Sequence, residues 1–484
     1  MTDITLDYTV STGKLRIYME NTDLFTEIRN FFSVKVKNAH FARRTNRFAP
    51  QRKYIITPTG ICEFGIYWEL RKYLIETQKL VNLITTSKLQ EVLDTISNSN
   101  PVLLDTFTFK LRDYQEEVVL KALKLGRGLC ILGTGAGKTF VTAALIENHY
   151  KNSAKPTIFK CLVIVPDLGL VAQTYDEFIN CGVTFNLTKW TGSHAPDMSA
   201  NVIICNIGIL QSQFDKSEWV KYVDLLIVDE CHGIKADNKI SKIVSKIKTL
   251  SKYGFTGTLP EEQVDKWSIL GKFGPTIYEK SSYELRTEEF LVNVEIKTID
   301  VTYNSRPPNL TNNSYRDELT FLHNNEFRNN LLSSLCKKLN NNTLILVNFI
   351  EHGEIVYNKL VNLVDKQVFF IRGSVEVDER EKIKQIMEKS NNIICVAISA
   401  IFSTGVNIKN LHNIIFAAGG KSFVRTVQSI GRGLRKHNNK EKLIILDIAD
   451  NLKYGKEHNL KRQEIYSLEK IKNTIKYIIQ PRFN

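Results

Sequence analysis

Two pairs of residues in this 484-residue chain have types and spacing that could do chemistry: Lys138 with Thr139, and Asp229 with Glu230. The first pair ends the run Leu132-Gly133-Thr134-Gly135-Ala136-Gly137-Lys138-Thr139; the second opens Asp229-Glu230-Cys231-His232, about ninety residues later. Each follows a short apolar run, 129–132 and 225–228. Strand, glycine loop and helix start together aim backbone N–H groups at phosphate oxygens. Thr134, Gly135, Ala136 and Gly137 would form that cradle, and Lys138 would reach the β- and γ-phosphates. Thr139 and Asp229 suit a Mg²⁺ ion, and Glu230 suits taking a proton from an attacking water. A lone glycine loop could be a chance turn. The pair, at this spacing, points to hydrolysis of a nucleoside triphosphate, ATP, with Mg²⁺.

Such residues need a rigid frame. Apolar, β-branched runs recur at 129–132, 161–165, 202–205, 225–228 and 253–255, and again at 343–347, 368–371, 393–398, 414–417 and 443–446. Continuous runs of this kind suit parallel strands covered on both faces. The expected fold class is α/β, with two tandem doubly wound parallel-sheet cores. The expected ranges are 105–285 for the first core and 290–450 for the second. Residues 1–100 alternate more finely, with strands near 4–10, 14–19, 34–36 and 54–57 and helices near 23–32 and 66–78. That predicts a small α+β domain, ending near Asn98-Ser99-Asn100-Pro101, and a basic helical tail over 451–484.

Two further groups follow from residue chemistry. In Leu111-Arg112-Asp113-Tyr114-Gln115, about twenty residues before the glycine loop, the Gln115 amide can both donate to and accept from the edge of adenine. Arg112 falls in the same ATP-binding segment. Later, Gln428, Arg432 and Arg435 stand at i, i+4 and i+7, one face of a helix, among Gly431 and Gly433. A solvated basic helix needs neither the glycines nor that spacing. Arg432 and Arg435 are expected to reach the γ-phosphate, a contribution of about 10³–10⁵ in rate where it occurs.

The net charge of +14 favours a polyanionic partner. From 29 to 53 there are eight cations and no acid, among them Arg43, Arg44, Arg47, Arg52 and Lys53, with four phenylalanines interleaved. Nucleic-acid contact is one reading of this stretch; a solvated basic face is the other. The eight cysteines form no close pair and read as small buried hydrophobes in a reducing compartment, with no structural zinc. No run approaches the roughly 20 apolar residues of a membrane helix, and the first residues lack signal-peptide character, so cytoplasmic residence is expected.

Taken in order, these motifs resemble those of superfamily-2 DNA helicases, and in particular the UvsW-type helicases of T-even phages. The likeness spans roughly 105–450 and extends to Leu24-Phe25-Thr26-Glu27-Ile28-Arg29-Asn30-Phe31-Phe32 and Phe64-Gly65; it departs at Ala49-Pro50-Gln51, where that family has an aromatic-Asp-Gly turn. The resemblance implies RecA-like cores and a DNA-binding N-terminal domain. It implies that Pro166, Gln173, Thr191 and Gly192 touch the nucleic-acid backbone, although ordinary loop residues would look the same. His232, Thr256 and Thr258 would couple hydrolysis to movement, and Gly405, in Ser403-Thr404-Gly405, would belong to the ATP site. It implies ATP-driven remodelling of branched or forked DNA, Holliday junctions and R-loops (with their RNA–DNA hybrids) in replication restart, recombination and repair, inside a phage's host cell. An RNA helicase, a duplex translocase without strand separation, and an ATP-switched binding or annealing protein remain the alternatives. Protein partners are not legible from the motifs.

Overall fold

The computed structural model describes residues 2–36, 51–77, 81–98, 100–104, 108–303, 314–373, 375, 377–399, 408–417 and 440–480. The chain divides into two compact units, Met1–Leu132 with Gly137–Lys280, and Gly133–Ala136 with Ser281–Asn484.

The first unit opens with β1 (Thr2–Thr9), β2 (Lys14–Tyr18), β3 (Ser33–Lys35), β4 (Arg52–Tyr54), β5 (Ile61–Glu63) and β6 (Val81–Thr85). A four-stranded mixed sheet runs in the order β5-β2-β1-β6, and β3 and β4 form a separate antiparallel pair. Strict alternation in β1 sends Ile4, Leu6 and Tyr8 inward. There they meet Ile28 from the helix Thr22–Phe31, Phe32 at its C-cap, and Leu70 from the helix Ile66–Glu76. Asn21 Oδ1 caps the first of these helices by accepting from Leu24 N at 2.9 Å.

β7 (Gly128–Leu132), β8 (Cys161–Val165), β9 (Leu187–Trp190), β10 (Val202–Asn206), β11 (Leu225–Val228), β12 (Ser251–Thr256) and β13 (Thr276–Lys280) follow. They form an all-parallel sheet in the order β13-β7-β12-β11-β8-β10-β9. The five inner strands are wholly or almost wholly buried. Because all are parallel, every following loop leaves from one rim, the usual place for a ligand in such a fold.

The second unit contains β14 (Asn293–Thr302), β15 (Thr343–Val347), β16 (Val368–Ile371), β17 (Ile394–Ile398), β18 (Asn413–Phe416), β19 (Lys442–Asp450) and β20 (Lys472–Ile479). These make a second seven-stranded parallel sheet, ordered β16-β17-β15-β18-β19-β14-β20. The fold class is therefore two tandem doubly wound parallel-sheet cores preceded by a small α+β region.

The apolar runs named from sequence coincide with the inner strands and with the edge strand β16, but β9, β13, β14 and β20 were not anticipated. Three of these are sheet edges and the fourth adjoins one, so polar residues interrupt them. The tail also differs from its expectation. A helix spans Lys453–Leu468, and the chain then returns as β20 beside β14. All eight cysteines are buried and free. Among the described residues no helix is long and apolar enough to cross a membrane.

The N-terminal region packs directly on the first core, against its helix Gln263–Phe273. Gly65 N donates to Gly271 O at 2.8 Å, and a Cβ at Gly65 would stand 2.1 Å from Leu270 O, so only glycine permits this approach. Carbonyl ends of two helices, Lys239–Lys246 and Gln263–Phe273, converge at this seam, and buried cations satisfy them. Arg127 donates from Nε to Phe273 O at 2.8 Å and from a terminal nitrogen to Leu250 O at 3.3 Å. Lys252 Nζ donates to Val244 O at 3.1 Å, and burial presses its ammonium down to about 7.

A base whose folded pKa lies below its unfolded value binds fewer protons when folded, so stability rises with pH between the two. For Lys252 that window opens near 7 and closes near the lysine value of about 10.4. The melting-temperature difference between Lys252→Met and the native chain should therefore shift in the native chain's favour as pH is raised from 7 towards 10. A difference that stays constant across this range would show that Lys252 keeps its proton.

Candidate active site

The glycine loop leaves β7 and enters the helix Lys138–Lys151 with Gly137 at its N-cap. Gly135 and Gly137 have φ of 88° and 77°, in the left-handed region that favours glycine. Neighbours also exclude a side chain. A Cβ at Gly137 would lie 2.4 Å from Gln115 Nε2, and one at Gly135 would lie 2.7 Å from Leu291 Cδ2. Ala136 N donates to Gly133 O at 3.1 Å, closing the turn, while Thr134 and Thr139 are half-buried.

β11 is two strands from β7 in the sheet, and its end brings the acidic pair back to the loop. Lys138 Nζ meets Glu230 Oε1 at 2.7 Å, with side-chain exposures of 15% and 17%. Glu230 Oε2 lies 3.2 Å from His232 Nδ1. Glu230 adopts φ 47°, ψ 45°, an uncommon conformation for a residue with a Cβ, and its N–H donates to Asp229 Oδ1 at 2.9 Å. Backbone strain of this kind, at a carboxylate between a lysine and a histidine, is concentrated at functional sites in proteins generally.

The electrostatics follow from burial and proximity. Burial raises the Asp229 carboxyl above its usual range, against the pull of Lys138, and the Glu230 charge adds to the rise. Burial acts on Glu230 in the same direction, but Lys138 and His232 outweigh it and hold this carboxyl low. Burial lowers the Lys138 ammonium, and Glu230 and Asp229 more than compensate, leaving it raised. The result is an ionised Lys138–Glu230 pair in a site largely shielded from water.

β12 lies between β7 and β11. Its last residue, Thr256, is fully buried, with Oγ1 3.0 Å from His232 Nδ1 and donating to Thr258 O at 2.8 Å. His232, Thr256 and Thr258 thus form a hydrogen-bonded path to Glu230. Gln115 is buried; its Oε1 accepts from Arg112 N at 3.0 Å, and its Nε2 faces Gly137. Arg112 also donates to Tyr114 Oη at 3.3 Å.

Other expected residues stand apart from this cluster. Pro166 follows β8, and Gln173 Nε2 donates to Glu177 Oε1 at 2.8 Å on the next helix. Thr191 follows β9, with its N–H donating to His194 O at 2.9 Å, and Gly192 faces open space. Arg52 donates to Ser33 Oγ at 2.8 Å and Asn30 O at 2.9 Å, and Lys53 is paired with Asp237. Both cations are thus engaged within the protein. Arg43, Arg44, Arg47, Gly405, Gln428, Arg432 and Arg435 lie outside the described residues.

Sequence reasoning passed over two aromatics. Phe109 and Phe140 touch at a steep tilt, with centroids 4.6 Å apart and ring planes inclined by 57°; Phe140 is 41% exposed, and its ring lies against Gly137. The available signal was position: Phe109 stands just before Leu111-Arg112, and Phe140 directly follows Lys138-Thr139. The exposed Phe140 ring, near Gln115 across Gly137, offers an apolar face of the kind on which a planar base rests.

The donor set suits a Mg²⁺–triphosphate: a glycine cradle, a lysine, a threonine hydroxyl and a buried carboxylate on one rim. Comparisons with known proteins agree. The family described as "Type III restriction enzyme, res subunit" matches residues 108–261, and "Helicase conserved C-terminal domain" matches 326–437. The chain is 27% identical over 390 residues to the ATP-dependent DNA helicase uvsW of Enterobacteria phage T4, covering 75% of this chain and 76% of that one. It is 25% identical over 422 residues to the DNA 3'-5' translocase XPB2 of Sulfurisphaera tokodaii, covering 78% and 88%. An HsdR-subunit fragment of a type I restriction enzyme from Vibrio vulnificus shares the fold, with a TM-score of 0.60, 16% identity and coverage of 89% and 85%. The chain belongs to the superfamily-2 helicases, ATP-dependent hydrolases that act on nucleic acid, and within them it is similar to UvsW.

Proposed function

We propose that this protein is a DNA helicase or translocase that uses Mg²⁺–ATP to remodel branched DNA: forks, Holliday junctions and R-loops met in replication restart, recombination and repair. The observation that supports it most is the Lys138–Glu230–His232–Thr256 cluster at one sheet rim, in a chain similar over three quarters of its length to a phage DNA helicase. The names of the two curated relatives above, a DNA helicase and a DNA translocase, favour DNA over RNA as substrate.

In this reading Lys138 leaves Glu230 for the β- and γ-phosphates. Glu230 then loses the counter-charge that held its carboxyl low, so its basicity rises as a water is positioned to attack. Thr139 and Asp229 would hold Mg²⁺, which supplies charge to the phosphate oxygens. Gln115 and Arg112 form the adenine end, with Thr134, Gly135, Ala136 and Gly137 as the phosphate cradle. Gly405 is a further ATP-binding residue and Gln428, Arg432 and Arg435 are catalytic, the arginines acting on the charge of the γ-phosphate. His232, Thr256 and Thr258 relay the loss of that phosphate. Pro166, Gln173, Thr191 and Gly192 touch the DNA backbone, and Arg43, Arg44 and Arg47 supply long-range attraction, with Arg52 and Lys53 bracing their base.

ATPase rates with single-stranded, duplex and forked DNA and with RNA, beside strand displacement on the fork, test the proposal. DNA should stimulate most, and displacement should vanish in Lys138→Ala. Stimulation without displacement would make the protein a translocase; stimulation by RNA alone would make it an RNA helicase; no stimulation would leave an ATP-switched binder.

Glu230→Gln should keep ATP and DNA binding while lowering turnover by about 10²–10⁴. Near-normal hydrolysis in that variant would remove Glu230 as the base. Charge reversal at Arg43, Arg44 and Arg47 should weaken DNA binding and flatten its log–log salt dependence by about 0.9 per lost duplex phosphate contact. An unchanged slope would mark the stretch as a solvated face.

A further inference from the structure

Lys53, at the centre of β4, forms an ion pair with Asp237. Asp237 stands on the loop that runs from Glu230 to the helix Lys239–Lys246. With Asp237 84% exposed, the pair adds little to folding stability. Its location is what distinguishes it.

The loop is held tightly on both sides of Asp237. Asn238 Nδ2 donates to Gly233 O at 2.8 Å, while its Oδ1 caps the helix by accepting from Ser241 N at 3.0 Å. Ala236 N donates to Asp265 Oδ1 at 2.9 Å, and Ile234 is buried. Asp265 belongs to the helix Gln263–Phe273, whose Trp267 packs on Phe31 and Phe32 with centroids 5.9 and 4.9 Å away. Phe32 directly precedes β3, the partner of β4. The contacts therefore form a closed ring, running from the β3–β4 pair through Lys53, Asp237, Ala236, Asp265 and Trp267 back to Phe32. One segment of this ring is continuous with the catalytic loop, and another is continuous with the acid-free cationic stretch that leads into β4.

We infer that Asp237 is a positioning residue: through its ion pair with Lys53, nucleic acid held at the N-terminal hairpin steadies the loop that carries Glu230 and so raises the stimulated rate of hydrolysis. Only six residues lie between Glu230 and Asp237, and hydrogen bonds at Gly233, Ala236 and Asn238 hold that segment, so a shift of β4 has little slack in which to dissipate. The inference rests on the proposed reading of Glu230 as the base of a nucleic-acid-stimulated ATPase.

The test is steady-state ATPase of the full chain over a titration of forked DNA, for Asp237→Lys, Asp237→Glu and the exchange Lys53→Asp with Asp237→Lys. Asp237→Lys should leave the DNA-free rate intact and lower the maximal stimulated rate by about threefold to fivefold, the scale of one surface pair. Its half-saturating DNA concentration should not rise. Asp237→Glu should retain stimulation, and the exchange should recover the maximal rate at saturating DNA. An unchanged maximum in Asp237→Lys, an exchange no better than the single variant, or an effect confined to the half-saturating concentration would overturn the inference. If the native chain is not stimulated by any nucleic acid, the proposed function fails first, which the native titration alone reveals.

Discussion

Everything at the candidate site depends on one charge pair, Lys138 and Glu230, 2.7 Å apart and mostly withdrawn from water. A buried ion is tolerated only with a partner, and removing one member of such a pair typically costs about 3–5 kcal/mol. The pair therefore constrains what can enter. A ligand that takes Lys138 must bring negative charge of its own, and it must leave Glu230 with another partner. His232 at 3.2 Å is that partner, and its further contact with Thr256 extends the consequence to a neighbouring strand. Under the proposed function, phosphate binding at Lys138 would thus be linked by electrostatics to a rearrangement of these hydrogen bonds.

The sheet makes this pair possible. Lys138 and Glu230 are 92 positions apart in the chain, and parallel strands return both to the same rim. Two backbone choices then aim the side chains. Gly137 takes a conformation that a side chain would oppose, and Glu230 takes a similar one despite having a side chain. The glycine relieves strain and the glutamate accepts it, which is the asymmetry expected when the carboxylate's direction matters more than local comfort.

The small N-terminal domain shares this rigidity. It meets the first core through a glycine contact, an aromatic cluster centred on Trp267, and cations that satisfy helix carbonyls. Such a seam is dense and specific, unlike a tethered module on a linker.

The inner strands, the glycine loop and the Asp229-Glu230 pair were all legible in the sequence, because fully buried parallel strands must be apolar throughout and phosphate chemistry requires particular residue types. The edge strands β9, β13 and β20 were not, since an edge covered on fewer sides tolerates lysine, threonine and glutamate that break the pattern. Lys53 shows the same limit for the site. In sequence it is one more cation in a basic stretch, and only folding reveals that its charge is spent on Asp237. The Phe109–Phe140 contact and the His232–Thr256 bond are equally tertiary. What the sequence alone determined is which residues could do the chemistry and which strands must be covered. Which charges neutralise each other was decided only by the tertiary structure, because pairing depends on distance in space and not on distance along the chain.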